Sequence, residues 1–360
     1  MNHNVWLHRS LLVLASIICA SAALSAQDDA PPVLAISLMP RSVPELTFET
    51  YTEAVDMGLD LGITGAAITY AWSDLEPDAG QLDVSEAADN LAYLNFRADL
   101  VYEVGIQPLN TTDKETPDDL LNVPFDDPRM IARFEAFLDQ LLPVLDERTR
   151  YLSIGNEVDV YLGNHPDEWE AFTTFYEAAA RYARERAPWL QMGVTVTYGG
   201  VQAFPEEIAA LNAASDVLII TYYPLAEGFE GHNPAAPETD FPFMIRYADQ
   251  YVRGVPVVLQ EVGYPSGEVN RSSESEQAEF VRHVFAAWSN QRERIPFLNY
   301  FLLHDFNEQL CHAFEEYYGL TNERFFSFLC TLGLLTADGT PKASFAVFAE
   351  SAAQFMAATP

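Results

Sequence analysis

Two glutamates in this sequence stand where short apolar runs rich in β-branched residues come to an end. One closes Ser153-Ile154-Gly155-Asn156-Glu157. The other lies in Val258-Leu259-Gln260-Glu261-Val262-Gly263-Tyr264-Pro265. A single carboxylate at such a place is ordinary, as a helix cap or one half of an ion pair. Two at the ends of different strands, on one face, form a constellation. Such a pair can serve one glycosidic bond, with one carboxylate attacking carbon and the other protonating the leaving oxygen. Retaining chemistry asks for roughly 5–5.5 Å between them. The acid must keep its proton near neutral pH, which burial and a neighbouring carboxylate both favour. Asn156, next to Glu157, could hold the hydroxyl beside the reacting carbon, a bond that strengthens in the transition state. Tyr222 and Tyr223 end another run, and strand alternation turns one inward and the other outward. Tyr70, Trp72 and Tyr264 lie at strand ends as well; an aromatic ring there could stack on a sugar or pack at the rim. His304 also falls at a strand end, where a hydrogen-bonding role is favoured. His304, Asp305, Glu308 and His312 match no standard metal spacing, so no metal is expected.

The elements that must carry these residues follow a regular plan. Eight apolar runs can be counted: Val33–Leu38, Gly65–Tyr70, Leu100–Ile106, Tyr151–Gly155, Gln191–Thr197, Val217–Tyr222, Val255–Gln260 and Phe297–Leu303. Their near-continuous apolar character fits strands of a parallel sheet buried on both faces. Stretches with helical spacing follow at Pro44–Leu59, Val84–Asn95, Pro128–Leu145, Asp167–Arg186, Phe204–Ala213, Phe243–Val252, Ser275–Asn290 and Lys342–Ala358. Strand then helix, eight times, predicts an α/β protein with a (β/α)₈ barrel over residues 31–360. A doubly wound open sheet is disfavoured, because Leu38-Met39-Pro40-Arg41-Ser42 after the first run is not G-x-G-x-x-G. Long connections follow the third, sixth and eighth runs (107–127, 224–242 and 305–336). In a barrel these loops build the C-terminal face, where active sites sit.

Charge and targeting signals narrow the partners. The formal net charge is -34 over 360 residues, which would repel nucleic acid and anionic membranes. The N-terminus carries Arg9, an apolar run from Leu11 to Ala23 and small residues at Ser25 and Ala26. This layout predicts a signal peptide over residues 1–26 and a secreted or periplasmic chain, with no membrane attachment after cleavage. That leaves Cys311 and Cys330, which could pair in an oxidising compartment. No G-x-S-x-G elbow and no phosphate-cradling glycine loop is present. A monomer without cofactor is expected.

Asn156-Glu157 after strand four and Glu261 after strand seven resemble clan A of the glycoside hydrolases, a large group of retaining barrel enzymes. Ile154-Gly155-Asn156-Glu157-Val158 and Glu261-Val262-Gly263-Tyr264-Pro265-Ser266-Gly267 look like the endo-β-1,3-glucanase and endo-β-1,4-galactanase families. Thr221-Tyr222-Tyr223-Pro224 is similar to the galactanase pattern. Trp72 to Gly80 and Gly333 to Lys342 resemble stretches shared by several members. The resemblance covers most of the chain after the leader. It implies Glu157 as acid/base, Glu261 as nucleophile, a strand-six Tyr that orients the nucleophile, and a carbohydrate substrate. Two positions depart from the clan. Tyr70-Ala71-Trp72 stands where many members have Arg, and Leu302-Leu303-His304-Asp305 where many have Trp, so His304 could line the sugar site instead. Two further readings use the same barrel: a non-catalytic carbohydrate-binding protein, and a transglycosylase with the same residues.

Overall fold

The computed structural model describes residues 30–358. The expected leader lies outside them. The eight runs become the strands of one parallel sheet: β1 (Val33–Ile36), β2 (Gly65–Ala71), β3 (Val101–Asn110), β4 (Thr149–Asn156), β5, β6 (Leu218–Tyr222), β7 (Val257–Val262) and β8 (Phe297–Tyr300). The fifth run, Gln191–Thr197, forms two short pieces, Gln191–Gly193 and Thr195–Thr197, on either side of Val194. The first piece pairs with β4 and the second with β6. With β1 also paired to β8, the sheet closes on itself through this broken strand.

Eight helices pack outside: α1 (Phe48–Asp60), α2 (Ser85–Arg97), α3 (Pro128–Leu141), α4 (Trp169–Arg186), α5 (Pro205–Leu211), α6 (Pro237–Tyr251), α7 (Glu274–Gln291) and α8 (Ala343–Ala357). Local chemistry sets several starts. Thr47 and Thr50 form a reciprocal cap on α1, so the helix begins four residues after Pro44. Asp127 caps α3, and Pro128 at its first position needs no amide donor. α6 begins at Pro237 and carries Pro242 within it, where the sequence pattern places the end of a loop. Together these strands and helices are a (β/α)₈ barrel.

The barrel interior has two layers. Val33, Ala35, Tyr151, Val217, Ile219, Val258 and Phe297 form an apolar floor of their own, separate from the large core between strands and helices. Above it Glu103, Ser153, Thr195, Gln260 and Asn299 are all buried. Ser153 Oγ and Thr195 Oγ1 are 2.6 Å apart, Thr195 donates to Gln260, and Asn299 Nδ2 donates to Ser37 Oγ at 2.8 Å.

The loops over the C-terminal ends are structured. Asp113–Lys114 folds back on the end of β3 as a short antiparallel ladder. The connection after β8 holds two helices, Glu308–Tyr317 and Glu323–Leu329, joined by a disulfide between Cys311 and Cys330 with Cα atoms 6.1 Å apart. Among the described residues no helix is long and apolar enough to cross a membrane.

Candidate active site

Glu157 follows β4 directly, and its backbone is left-handed with φ 46°. This conformation is costly for a side chain with a Cβ and marks positions fixed by their surroundings. Gly155 has φ 93°. A Cβ there would lie 2.5 Å from Val158 Cγ1, so this sharp exit needs glycine. The Glu157 carboxylate takes one hydrogen bond on each oxygen, from Thr221 Oγ1 at 2.7 Å and Thr111 Oγ1 at 3.0 Å. Thr111, at the tip of β3, is also left-handed, with φ 47°.

Glu261 reaches the same place by a different route. Val258 points into the barrel floor and Gln260 into the polar layer, so plain alternation would send Glu261 outward. A register shift in β7 intervenes: Leu259 pairs with Ile220, yet Glu261 pairs with Thr221. The extra residue is a β-bulge, a device that re-aims a side chain. Thr221 therefore stands beside Glu261 in the sheet while its hydroxyl bonds Glu157. The Tyr223 hydroxyl donates to Glu261 Oε2.

The electrostatics of the pair follow from this closeness. Burial pushes the Glu157 carboxyl up, against the two threonine hydroxyls. Burial also raises Glu261, to about 8, with the Glu157 charge adding to it and the Tyr223 hydrogen bond opposing. Two like charges this close disfavour ionisation of both carboxyls together. The site can thus offer one carboxylate and one carboxylic acid together, the equipment for attack with simultaneous protonation of a leaving group.

The structure brings Glu157, Glu261, Asn156 and Tyr223 together. Asn156 Nδ2 donates to Asn110 Oδ1 at 3.0 Å, and its own Oδ1 has no protein partner. It places the other expected residues elsewhere. Tyr222 points out of the barrel, donating to Asp240 Oδ2 of α6 at 2.8 Å. Tyr70 faces the helix layer and accepts from Asn90 Nδ2 of α2. Trp72 is fully buried, edge-on to Phe134 of α3, with Nε1 donating to Glu76. Tyr264 stacks on Phe280 of α7 and donates to the His232 carbonyl. His304 is buried against the loop after β1, its Nδ1 2.8 Å from the Met39 carbonyl, and burial lowers its pKa. These five serve packing rather than the mouth, because a residue next to the end of a strand can as easily face the helices as the axis.

Three participants were not read from the sequence. Thr111 and Thr221 are single threonines in loop and strand. Glu103 sits mid-strand in β3 with both carboxyl oxygens buried and unpartnered. Burial, and then the Glu261 charge, raises it to about 8. Only the glutamate inside an apolar run (Val101-Tyr102-Glu103-Val104) hinted at it.

Fold and site define a (β/α)₈ barrel with a paired-glutamate mouth, the architecture that the clan A resemblance implies. No family model matches the chain, and no curated protein matches its sequence. Solved structures do match. A GH5_18 protein from Streptomyces cattleya, solved with Manb1-4GlcNAc, is 18% identical with a TM-score of 0.72, over 91% of this chain and 82% of that one. The exo-β-1,4-mannosidase Op5Man5 from Opitutaceae bacterium strain TAV5 gives 17% and 0.69, over 91% of this chain and 60% of that one. A family 39 glycoside hydrolase from Bacteroides cellulosilyticus WH2 gives 15% and 0.63, over 90% and 64%. At these identities the likeness is one of fold.

Proposed function

We propose that this chain is a secreted retaining glycoside hydrolase that cleaves β-glycosidic bonds of an oligo- or polysaccharide. Glu261 attacks the anomeric carbon, and Glu157 protonates the departing oxygen. Glu157 then takes a proton from water, which releases the sugar from Glu261. Asn156 holds the hydroxyl beside the reacting carbon, and Tyr223 holds Glu261 and stabilises its charge. The carrying observation is Thr221, paired with Glu261 in the sheet and bonded to Glu157. It links the two glutamates across strands β4, β6 and β7. The carbohydrate-bound and glycosidase structures that share the fold support the reaction class. The Cys311–Cys330 disulfide accords with an oxidising compartment.

The test is reducing-sugar release from β-mannosides, β-glucans, galactans and xylans, with wild type, Glu157→Gln and Glu261→Gln. Release by wild type that both variants abolish is expected. Azide added to Glu157→Ala with an activated aryl glycoside should restore turnover and yield a glycosyl azide that keeps the β configuration. Tight sugar binding without any release by wild type would favour a binding barrel. Longer products from sugar acceptors would identify a transglycosylase.

A further inference from the structure

The two helices after β8 reach both arms of the site. At the end of the first, the Tyr317 hydroxyl donates to Glu115 Oε1 at 2.6 Å and accepts from Asn110 Nδ2 at 3.2 Å. Glu115 Oε2 in turn accepts from Ser73 Oγ, in the turn after β2, at 3.1 Å. Asn110 is the residue to which Asn156 donates. Next to Tyr317, Tyr318 sets its ring edge-on to Phe325 of the second helix, centroids 5.5 Å apart, and its phenol is pushed up by burial and then by the Glu157 charge.

The second helix goes the other way. Phe325 and Phe328 pack on Phe229 of the loop after β6, with ring centroids 5.1 and 5.7 Å apart. Arg324 pairs with Glu230 at 2.7 Å, and Asn270 of the loop after β7 donates to the Arg324 carbonyl at 2.8 Å. Phe328 also meets the ring of Tyr223 edge-on at 5.3 Å. A disulfide ties the two helices together. The pair thus forms a strap rooted at β8. It is fastened at β3 on one side and at the β6 and β7 loops on the other, and β1 and β2 lie between its root and its β3 anchor.

The strap therefore runs along one side of the mouth, from β8 past β1 and β2 to β3. Its β3 anchor lies at Asn110, the partner of Asn156. In the hydrolase reading, on which this inference rests, Asn156 holds a hydroxyl of the sugar that is attacked, so the strap stands on that sugar's side of the bond. We propose that the stapled strap, through Tyr317 and Tyr318, closes the glycone side of the site, so that it takes the non-reducing end of a β-linked chain and removes one sugar at a time.

The experiment uses an oligosaccharide of the sugar that wild type cuts best, fluorescently labelled at its reducing end, with products followed from the first per cent of turnover. The expected series loses one sugar per step. A bulky substituent on the terminal non-reducing sugar should abolish cleavage. In Tyr317→Ala/Tyr318→Ala, short labelled fragments from internal cuts should appear. Short labelled fragments from wild type at the outset, or undiminished cutting of the blocked chain, would overturn the proposal and leave the hydrolase reading intact. No turnover of any sugar, together with failure of a mechanism-based 2-deoxy-2-fluoro glycoside to label Glu261, would sink the hydrolase reading and this inference with it.

Discussion

The floor and the upper half of the barrel are built by the same strands, are equally buried, and differ in everything else. On β4, β7 and β8, Tyr151, Val258 and Phe297 fill the floor. One alternation higher, Ser153, Gln260 and Asn299 are polar. The floor gains its stability from close packing of apolar surface. The upper layer gives that up: Glu103 has no partner, and three carboxyls share a small desolvated volume. Replacements in the floor should therefore cost stability and leave the chemistry alone, while replacements above it should cost chemistry and spare, or even raise, stability.

The sharpest way to break this comparison is Glu261→Gln. It should lower kcat by about 10⁴-fold or more, some 5–6 kcal/mol of barrier. Its melting temperature should hold or rise, because a like-charge neighbour of Glu157 is removed. A large loss of thermal stability would put Glu261 in the floor's class. Phe297→Ala should do the reverse. It removes a fully buried ring set edge-on to Tyr151 and should cost about 3–5 kcal/mol of unfolding free energy. Urea denaturation measures the loss, and kcat below the unfolding transition should stay near wild type.

Glu103→Gln tests the upper layer by pH. In the folded protein burial and the Glu261 charge push the Glu103 carboxyl from its ordinary 4.5 up to about 8. Below 4.5 both folded and unfolded chains hold the proton. Between 4.5 and 8 the unfolded chain releases it and the folded one does not, so wild type loses up to about 1.4 kcal/mol per pH unit from this group. The variant's advantage in urea midpoint should grow from pH 5 to pH 8, and a constant difference would show that Glu103 ionises freely. The smallest effect is expected from Tyr223→Phe. Losing a hydrogen bond to a charged group should cost about 1.5–3 kcal/mol, or roughly 10- to 150-fold in kcat/KM. Since that bond lowers the Glu261 pKa, the acidic limb of the pH profile should also move to higher pH.

Much of the fold was legible because its signal is local. Each of the eight apolar runs overlaps a strand, with ends displaced by up to four residues, since a strand buried on both faces is largely apolar. The break of β5 at Val194 was not legible, because each half answers to a different neighbour. In the site, Glu157 and Glu261 stood out as charges where apolar runs end. Trp72 did not end in the mouth: it opens a single helical turn after β2 and buries its ring against α3. The alternation of Tyr222 and Tyr223 was readable, but which of them faces inward depends on how β6 is set in the closed sheet.

The sequence by itself determined the order of elements and the places of both glutamates where apolar runs give out. These depend on residue type and on neighbours a few positions away. Only the tertiary structure decided that Glu261 faces Glu157, because a bulge in β7 reverses the alternation at that one residue. It also decided that Thr111 and Thr221 converge on Glu157, that Glu103 lies buried without a partner, and that Cys311 and Cys330 staple the strap. Each of these depends on register and closure between segments far apart in the chain, and such relations are fixed by packing and hydrogen bonding across the sheet rather than by the character of any one residue.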